Sequence, residues 1–593
     1  MASREGLFKA AGIIAFVSVV SKVLGFVRET SLAAVFGATY LTDAYLVGQT
    51  IPMLVFSAVG AALGNTFIPV FSQVKQERGR SAAFRMANSV INATLLLSIG
   101  CIVLGEALAG LLTRLVAPGF EGPVRSLTVS LSRVMFPMVL FQGLSGVFTG
   151  MLQTEGNFAA PALVSLAFNA ILITSILVLG PAFGIGAVAA GTVAAVGAQA
   201  LLQVPALVRL GYRWQPILDL RDAGLRRIGA LVGPVLVATA VGQLGLVVDR
   251  VLASGLAEGS VAALNYGNRL MGLVPGIFGL AIVTVMYPTL ASLAAARDLA
   301  RFGRAFAEAA KMINFVCVPV AVGMAVLRVP LVRLAFERGA FDARATEATA
   351  WALLFFCVGV GVFTLRDMAN RAFFALQDTT TPMIVGAASV AVNIAANLIL
   401  VGPLKHGGLA LGTSLAGVFG VAVLLWKLRA LVRALALSAA ARPETGVTSE
   451  AADQASQAAS CDRRGGDGAS WPRSHVERLE RLGPELSPGI GGRSILSSLW
   501  RVLVASAGMG AVVQVVHPAL EACAPGAGVL AQGLRLFGSV AVGVVCYAVL
   551  VWALKVPEAW LAADTALKIL RRVASAVHRR RRRCGGVERR STL

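Results

Sequence analysis

Charge is scarce in this chain, and histidine and cysteine are scarcer still. Charged residues occupy 14% of its 593 positions, against about 25% in an ordinary soluble domain. The four histidines fall into no HExxH or Ser/His/Asp arrangement, and no glycine run has the dinucleotide-binding spacing. The seven cysteines show no CxxC pair and no metal-ligand spacing, so they predict neither a disulfide framework nor a zinc site. Enzyme signatures are therefore thin.

Hydrophobic sequence is what the chain has in abundance, at 57% of residues and a mean hydropathy of +0.77. The apolar runs are each close to the roughly 20 residues that a helix needs to cross a bilayer core. They are continuous rather than alternating, which argues against a lipid-facing sheet. The sequence predicts an all-α polytopic membrane protein of about fourteen transmembrane helices. The expected spans are 8–36, 41–74, 82–112, 126–152, 159–181, 184–209, 226–255, 261–295, 305–327, 345–376, 381–402, 407–434, 495–517 and 528–556.

The net charge of +22 is distributed by topology. Basic clusters follow every second apolar span, whereas the intervening loops carry no Lys or Arg. This alternation follows the positive-inside rule and predicts that both termini are cytoplasmic. The loop at 328–347 is an exception, because it carries four arginines. The basic clusters lie near residues 75–85, 209–227, 297–311 and 427–433 and in the tail from 571, and the uncharged loops lie near 38–42, 181–185, 255–261 and 517–527.

Two segments differ from the rest in composition. Residues 435–494 are rich in Ala, Ser, Gly, Pro and mixed charges without an apolar period, which predicts a disordered cytoplasmic linker. The tail 557–593 begins as a possible amphipathic helix and ends in the Arg579–Arg583 run. Such a run favours an anchor to anionic lipid headgroups, and we expect no nucleic-acid partner.

An internal repeat organises the apolar spans. Phe67-Ile68-Pro69 matches Met286-Tyr287-Pro288 at an offset of 219, and Gly191-Thr192 matches Gly412-Thr413 at 221. Each repeat holds six helices, and an even number makes the two copies parallel, as in several transporter folds. The expected units are an N-lobe at 1–215, a C-lobe at 216–434, the linker, a pair of extra helices at 495–556 and the basic tail.

Two arginines lie deep in apolar segments. Arg28 belongs to the first span, next to Glu29 and six residues after Lys22, and Arg269 belongs to the eighth. Charges at membrane depth cost from about 3 to over 10 kcal/mol and usually serve a function in a polar cavity. An arginine fork suits a diphosphate because it presents paired donors and keeps its charge. The alternative is a structural lock, in which Arg28 pairs with Glu29, Asp43 or Asp249.

Polar residues of the second half allow a cation site. Asn393 and Asn397 are four residues apart on one helical face, and with Asp249 and Thr413 they supply oxygens of the kind a hard cation such as Na⁺ prefers. The alternative is a set of interhelical hydrogen bonds. For the other intramembrane charges, Arg250, Arg366 and Asp367, we expect structural pairing with other helices.

Several motifs together resemble the MurJ/MviN family of lipid II flippases, over roughly residues 8 to 434 and more loosely through the last two helices. The matching motifs are Ser21-Lys22-Val23-Leu24-Gly25-Phe26-Val27-Arg28-Glu29, Phe36-Gly37-Ala38, Thr42-Asp43-Ala44-Tyr45, Leu264-Asn265-Tyr266-Gly267-Asn268-Arg269-Leu270, Phe336-Glu337-Arg338-Gly339-Ala340-Phe341 and Gln377-Asp378-Thr379-Thr380-Thr381-Pro382.

The resemblance implies a MATE-like exporter fold in the bacterial cytoplasmic membrane. It implies a protein that moves the undecaprenyl-diphosphate-linked peptidoglycan precursor, lipid II, to the outer leaflet by alternating access and without covalent chemistry. Arg28 and Arg269 match the family's diphosphate-binding arginines, with Lys22 as a third cation and Glu29 and Asp43 as charge or gating partners. The last two helices would hold the lipid tail. We expect a monomer in contact with membrane lipids, driven by membrane potential or a Na⁺ gradient and needing no other cofactor.

The chain departs from the family pattern at four places. Lys22 replaces a common arginine and loses the bidentate fork. Glu29 replaces the usual aspartate. The family's arginine pair after Pro52 is replaced by Met53-Leu54-Val55-Phe56-Ser57, so a third cavity arginine is missing. A carboxylate often stands at the position of Asn397, which puts sodium coupling in question.

Three other functions remain open on the sequence alone. A flippase for another polyprenyl-diphosphate glycan would use the same arginines. A MATE-type antiporter is less favoured, because these arginines would repel its cationic drug substrates. A membrane glycosyltransferase or ligase would need an essential carboxylate in an outer loop, for which Glu337, Asp342 and Glu347 are the clustered candidates.

Overall fold

A computed structural model describes residues 4–440, 491–523, 526 and 528–559, and every described element is helical. Nine described helices are long and apolar enough to cross a membrane, or eleven if each of two bent pairs counts as one span. Three more long segments, which are Arg4–Phe36, the part of Tyr40–Val116 before Gly79, and Ala223–Ser254, complete the fourteen spans that the hydropathy predicts. The all-α transmembrane fold is thus confirmed.

Spans 1 to 7 follow each other with short connections. Span 1 is Arg4–Phe36; spans 2 and 3 are the two parts of Tyr40–Val116; span 4 is Gly122–Met135 with Met138–Thr154; span 5 is Ala159–Thr174, the π-helical turn Ser175–Leu179 and Gly180–Phe183; span 6 is Ile185–Leu201 with Val204–Arg209; span 7 is Ala223–Ser254. Gly79, with a φ of 81°, separates spans 2 and 3, because only glycine takes this left-handed conformation without strain.

Span 7 begins a second set of six spans that ends with span 12, and spans 13 and 14 follow it. Span 8 is Ser260–Val274, the π-helical turn Pro275–Gly279 and Leu280–Ala295; span 9 is Leu299–Val326, followed by the short helix Arg328–Phe336; span 10 is Ala343–Cys357 with Val360–Ala375; span 11 is Thr380–Leu404; span 12 is His406–Ala440; spans 13 and 14 are Gly492–Cys523 and Val529–Ala553. Helices thus extend a few residues into both ends of the expected linker 435–494. The rest of that linker and the tail from residue 560 lie outside the described residues.

The packing of the helices repeats with the sequence. Span 1 packs against span 5 as span 7 packs against span 11, and span 5 packs against span 6 as span 11 packs against span 12. Span 4 likewise contacts span 6 as span 10 contacts span 12. Span 13 packs against span 9 and span 14 against span 13, outside this repeat. The contacts therefore have the periodicity of six helices that the repeated dipeptides predict.

The loops fall at two opposite ends of the bundle. The loops around residues 37–39, 117–121, 255–259 and 337–342 belong to one end, called here the Gly37 end. The turn at Gly79 and the connections at 155–158, 210–222, 296–298 and 376–379 belong to the other, called here the Gly79 end. At the Gly79 end Glu155 forms ion pairs with Lys75 at 2.9 Å and with Arg80 at 3.1 Å, which tie spans 2, 3 and 4 together.

The connection between the two repeats is fastened to span 3. Asn88 accepts the Tyr212 hydroxyl and the backbone N–H of Gln215, and donates to the carbonyl of Arg213 at 3.3 Å. Asn92 donates to the carbonyls of Gln215 and Ile217 at 2.9 and 2.8 Å. Burial raises the pKa of Tyr212, so its hydroxyl remains a donor. Movement of the second repeat must therefore begin after this segment.

Replacing Asn88 by alanine should destabilise the protein by about 2 kcal/mol, because two donors and one acceptor lose a buried partner. Thermal unfolding of the purified chain in detergent measures the loss. Ser126→Ala is the matched control, since Ser126 is exposed and donates only within its own helix, to the carbonyl of Pro123. Equal unfolding temperatures for the two variants would contradict the fastening role of Asn88.

Candidate functional site

Glu29 joins the two deep arginines. Arg28 donates to Glu29 Oε1 at 2.6 Å, and Nε of Arg269 lies 3.3 Å from the same oxygen. Arg28 and Glu29 lie on span 1 of the first repeat and Arg269 lies on span 8 of the second. Of the three partners that the sequence offers for Arg28, which are Glu29, Asp43 and Asp249, the structure thus shows an ion pair with Glu29. The ion pair between Glu29 and Arg269 joins the two halves of the protein.

Two asparagines and an aromatic ring hold this triad in position. Asn169 of span 5 accepts Arg28 at 3.2 Å, and the Arg28 guanidinium lies 5.5 Å from the centroid of the Phe168 ring. Asn265 donates to the second oxygen of Glu29 at 3.3 Å. Asn169 and Phe168 were not predicted from the sequence, although an asparagine in the middle of an apolar span is itself a signal of interhelical hydrogen bonding.

The triad is buried on one side and open on the other. The Glu29 side chain is 6% exposed and the Arg28 side chain 18%, whereas the Arg269 side chain is 53% exposed. Two guanidiniums share one carboxylate, so the group carries a net positive charge. Each arginine has five N–H donors, and one carboxylate cannot satisfy them all. The geometry is suited to an incoming anion.

Lys22 makes a second link between spans 1 and 8. Its ammonium group donates to the carbonyl of Gly276, which lies in the π-helical turn Pro275–Gly279. Turns of this kind are frequent at functional sites. Lys22 precedes Arg28 by six residues, about 9 Å along the helix at 1.5 Å per residue. It therefore lies nearer to the Gly79 end than the arginines do.

Asp43 lies at the Gly37 end rather than beside the arginines. Its two carboxylate oxygens accept the backbone N–H groups of Gly259 and Ala262, both at 2.7 Å. Span 8 begins at Ser260, so Asp43 caps the first turn of a helix in the other repeat. A carboxylate at this place satisfies free N–H groups and the positive end of the helix dipole.

Close backbone contacts complete the closure of the Gly37 end. The N–H of Ala340 donates to the carbonyl of Ala34 at 2.8 Å, and the Tyr266 hydroxyl donates to the carbonyl of Gly37 at 3.3 Å. A Cβ at Gly339 would lie 2.1 Å from the carbonyl oxygen of Ala34. Three motifs that are far apart in sequence therefore meet here, those around residues 36–38, 264–270 and 336–341.

The four residues of the expected cation site are also brought together. Asn397 donates to Asp249 at 2.6 Å and to Asn393 at 3.3 Å, and Asn393 donates to the hydroxyl of Thr413 at 3.3 Å. The Oδ1 atom of Asn397 is buried without a hydrogen-bond partner. A Cβ at Gly412 would lie 2.1 Å from that atom, so glycine is required there for Asn397 to fit. The cluster presents carboxylate, amide and hydroxyl oxygens.

Comparison with known proteins assigns the fold and the family. The model of the family described as lipid II flippase MurJ matches residues 32–441. The chain belongs to the MurJ lipid II flippase family. It is 28% identical over 434 residues to the lipid II flippase MurJ of Burkholderia cenocepacia, covering 71% of this chain and 84% of that protein. It is 30% identical to a probable lipid II flippase MurJ of Rhizobium meliloti, covering 67% of this chain and 76% of that protein.

Solved structures show the same fold. A lipid II flippase MurJ in an inward closed conformation superposes with a TM-score of 0.69 at 20% identity, over 91% of this chain and 97% of that one. An inward-facing MATE family multidrug transporter of the MOP superfamily superposes with a TM-score of 0.60 at 16% identity, over 72% of this chain and 99% of that one. The MATE-like architecture with two added helices is confirmed.

A groove lined mainly by apolar side chains, of about 660 Å³, runs along spans 1 and 8 of this MurJ-family chain. Phe26, Val27 and Leu270, the neighbours of the triad on spans 1 and 8, line one part of it. Met509 and Val540 of spans 13 and 14 line another part. This is the position at which the resemblance places a lipid tail.

The three other intramembrane charges, Arg250, Arg366 and Asp367, lack the close ion pairs that the sequence predicts, within the part of the chain that the structure describes. Among the ion pairs of the described residues, none contains Arg250, Arg366 or Asp367. Arg366 lies 5.5 Å from the centroid of Phe363, a ring on its own helix. The expected pairing with other helices is therefore wrong for Arg366, because an aromatic face one turn away offers the guanidinium a closer partner.

Two of the three carboxylates proposed for a membrane transferase, Glu337 and Asp342, make local hydrogen bonds. Glu337 accepts the Thr346 hydroxyl at 2.7 Å and Arg333 at 3.3 Å. Asp342 caps the following helix through the N–H of Ala345 at 2.8 Å. This geometry gives both carboxylates a structural role. The family is one of transporters, in agreement with the thin enzyme signatures.

Proposed function

We propose that this protein flips lipid II from the cytoplasmic to the outer leaflet of the bacterial cytoplasmic membrane, without covalent chemistry. The family supports the substrate. The observation that carries the mechanism is the triad of Arg28, Glu29 and Arg269, in which cations from both repeats share one carboxylate. The two helices that carry the triad, spans 1 and 8, also line an apolar groove. A diphosphate needs the paired cations, and a polyprenyl tail needs the apolar groove.

The bound substrate replaces Glu29 as the partner of the arginines. A diphosphate has more acceptor oxygens than a carboxylate and more negative charge, so it satisfies both guanidiniums at once. Lys22 supplies a third cation on the path from the Gly79 end. In this way Lys22 compensates for the arginine that span 2 lacks. Binding thus frees Glu29 from its two ion pairs.

Alternating access follows from where the two repeats touch. We place the Gly37 end outside and the Gly79 end inside, which agrees with the basic clusters and puts both termini in the cytoplasm. The contacts of Asp43, Gly259 and Gly339 close the outer end. Rocking of the lobe 216–434 against the lobe 1–215 opens it, and the fastened segment 210–222 makes the hinge fall at the start of span 7. One chain contains both lobes, so a monomer suffices.

Transport is driven by the membrane potential or by Na⁺. A potential supplies about 2.3 kcal/mol per charge per 100 mV. The cluster of Asp249, Asn393, Asn397 and Thr413 fits Na⁺ chemically, because the buried Oδ1 of Asn397 has no hydrogen-bond partner and the other residues supply oxygens. These four residues would hold the ion, and the ion would fix span 7 against spans 11 and 12.

The Na⁺ site predicts a stabilisation by the ion alone. At a concentration 100 times its dissociation constant, Na⁺ should stabilise the folded protein by about 2.7 kcal/mol. Asp249→Asn should remove this stabilisation, whereas K⁺ should not produce it in the wild type. Thermal unfolding at constant ionic strength makes the measurement. If Na⁺ and K⁺ give the same unfolding temperature in the wild type, the cluster is a set of interhelical hydrogen bonds and the potential drives transport.

Complementation tests the substrate. Bacteria depleted of their own lipid II flippase should grow when this chain is expressed, and lipid II should appear on their outer leaflet. Failure of the well-expressed wild type would favour a flippase for another polyprenyl-diphosphate glycan. A triple variant in which Glu337, Asp342 and Glu347 become amides tests the transferase alternative. It should retain function, whereas a transferase would lose it.

A further inference from the structure

A second, polar pocket of about 390 Å³ lies at the Gly37 end, apart from the triad. It is formed between the short helix Arg328–Phe336 and spans 13 and 14. This short helix belongs to the one basic loop that the positive-inside rule does not explain. Charged and polar side chains surround the pocket, and those that matter here are Arg333, Glu337, His517, Glu521 and Arg535.

Two guanidiniums of this pocket retain free donors. Nε of Arg333 donates to Glu337 at 3.3 Å. Arg535 donates through Nε to the carbonyl of Ala531 at 3.2 Å and through a terminal nitrogen to the carbonyl of Gly526. Each guanidinium has five N–H donors, so both have donors left for an oxyanion.

Glu521 and His517 are two groups of the pocket that can accept hydrogen bonds from a bound cation. Glu521 has a side chain that is 45% exposed and lies 3.7 Å from Nε2 of His517. That Nε2 atom is buried and has no hydrogen-bond partner among the described residues, while Nδ1 of the same ring lies 2.9 Å from the Ser539 hydroxyl. The pocket therefore contains two arginines and two glutamates, with an unsatisfied ring nitrogen between them.

The pocket lies within two helical turns of the ends of spans 13 and 14 at the Gly37 end, where a membrane helix meets lipid headgroups. Arg535 follows the start of span 14 at Val529 by six residues, about 9 Å along the helix. Residues four positions apart share one helical face, and on spans 13 and 14 the pairs are Val513 with His517 and Gln532 with Leu536. In each pair one residue lines the polar pocket and the other the apolar groove. The polar pocket thus continues into the apolar groove, one helical turn further into the membrane.

We propose that this pocket binds the headgroup of a zwitterionic phospholipid with a primary ammonium, of the phosphatidylethanolamine type. Arg333 and Arg535 hold its phosphate, Glu521 accepts its ammonium N–H groups, and an acyl chain enters the apolar groove. Charge complementarity selects this occupant. A phosphatidylglycerol headgroup has the same phosphate but no ammonium to pair with Glu521, and a choline headgroup has no N–H to donate.

This inference goes beyond the proposed function and does not depend on the substrate. Phospholipid binding nevertheless affects lipid II transport, because the apolar groove is also where the polyprenyl tail is expected to lie. A bound phospholipid and the substrate tail then exclude each other from the outer part of the groove. Phospholipid binding would thus promote release of the flipped lipid.

Native mass spectrometry of the purified full-length chain tests the proposal, with phosphatidylethanolamine, phosphatidylcholine and phosphatidylglycerol of identical acyl chains as probes. Phosphatidylethanolamine should be retained best. Arg535→Gln and Arg333→Gln should each weaken its binding about tenfold or more, as loss of a hydrogen bond to a charged group does. Glu521→Gln should abolish the preference over phosphatidylcholine. Arg433→Gln, at an exposed arginine of the Gly79 end, is the control and should change nothing.

Three results would overturn the proposal. Stronger retention of phosphatidylglycerol would mean an anion site. Equal retention of all three lipids, unchanged in the arginine variants, would mean that no headgroup is recognised. Loss of a polyprenyl diphosphate instead of phosphatidylethanolamine from the arginine variants would assign the pocket to the substrate. Arg535→Lys separates binding from folding, because it keeps the charge and should retain part of the affinity.

Discussion

Arg28→Ala and Arg269→Ala should each reduce lipid II flipping about 100-fold or more, at wild-type levels in the membrane. Each variant removes charge-assisted hydrogen bonds to the diphosphate, which contribute about 1.5 to 3 kcal/mol apiece, and a guanidinium makes two of them to one phosphate group. Lipid II exposure on the outer leaflet is the measurement. Arg433→Ala, an exposed arginine outside the triad, is the matched control and should remain active.

Loss of function alone does not separate a ligand from a structural partner, because the same arginines neutralise Glu29. The double variant Arg28→Gln with Glu29→Gln removes both charges of the pair. If Arg28 serves only to neutralise Glu29, the double variant should bind a soluble polyprenyl diphosphate analogue as well as the wild type, since contacting residues are coupled in this way. If Arg28 binds the diphosphate, the double variant should bind the analogue as weakly as the single Arg28 variant. We expect the second result.

For Glu29→Gln alone we expect the opposite effect on diphosphate binding from that of the arginine variants. It removes the competitor for both arginines and leaves their donors free for the diphosphate. Binding of a soluble polyprenyl diphosphate analogue should therefore persist or tighten, while flipping falls because the link between spans 1 and 8 cannot re-form after release. Simultaneous loss of binding and flipping in Glu29→Gln would show that the carboxylate organises the arginines rather than competing for them.

The sequence predicted the elements of this site better than their connections. Arg28, Arg269 and Glu29 were recognisable because an ionised side chain in an apolar run is costly and therefore conspicuous. Their common partnership through Glu29 Oε1 was not predictable, since it depends on how span 8 lies against span 1. Hydropathy determines that both helices cross the membrane, but not which faces meet. Asn169 was missed for the same reason, because its role requires the position of span 5.

The closure of the Gly37 end could likewise be predicted only in part from the sequence. The repeat at offsets of 219 and 221 predicted six-helix units, and the packing of spans 1 and 5 and of spans 7 and 11 repeats accordingly. Gly37, Gly259 and Gly339 are three of 63 glycines, and composition does not distinguish them from the others. What distinguishes them is the backbone of the opposite repeat within van der Waals distance, which is a property of the folded state alone.

Gly339→Ala should abolish most of the transport by keeping the Gly37 end from closing. In the closed state the new methyl group would lie 2.1 Å from the carbonyl oxygen of Ala34, and a backbone atom cannot move away as a flexible side chain can. A penalty of about 3 kcal/mol on the closed state reduces its population by more than 100-fold relative to the open one. The carrier would then accumulate open at the Gly37 end and seldom return to accept substrate from the other side.

Gly122→Ala is the control that isolates this clash. Gly122 also lies at the Gly37 end and has a positive φ of 50°, but a Cβ there meets nothing within 4 Å. Both variants pay the strain of a left-handed alanine, about 1 to 2 kcal/mol, so a difference between them measures the contact with Ala34. Labelling of a cysteine at position 38 by a membrane-impermeant thiol reagent reports the opening, in a background without other cysteines. It should be fast in Gly339→Ala and slow in Gly122→Ala. Equal labelling and equal lipid II exposure in the two variants would mean that the carrier cycles without this closure, and that the outer barrier must be the triad itself.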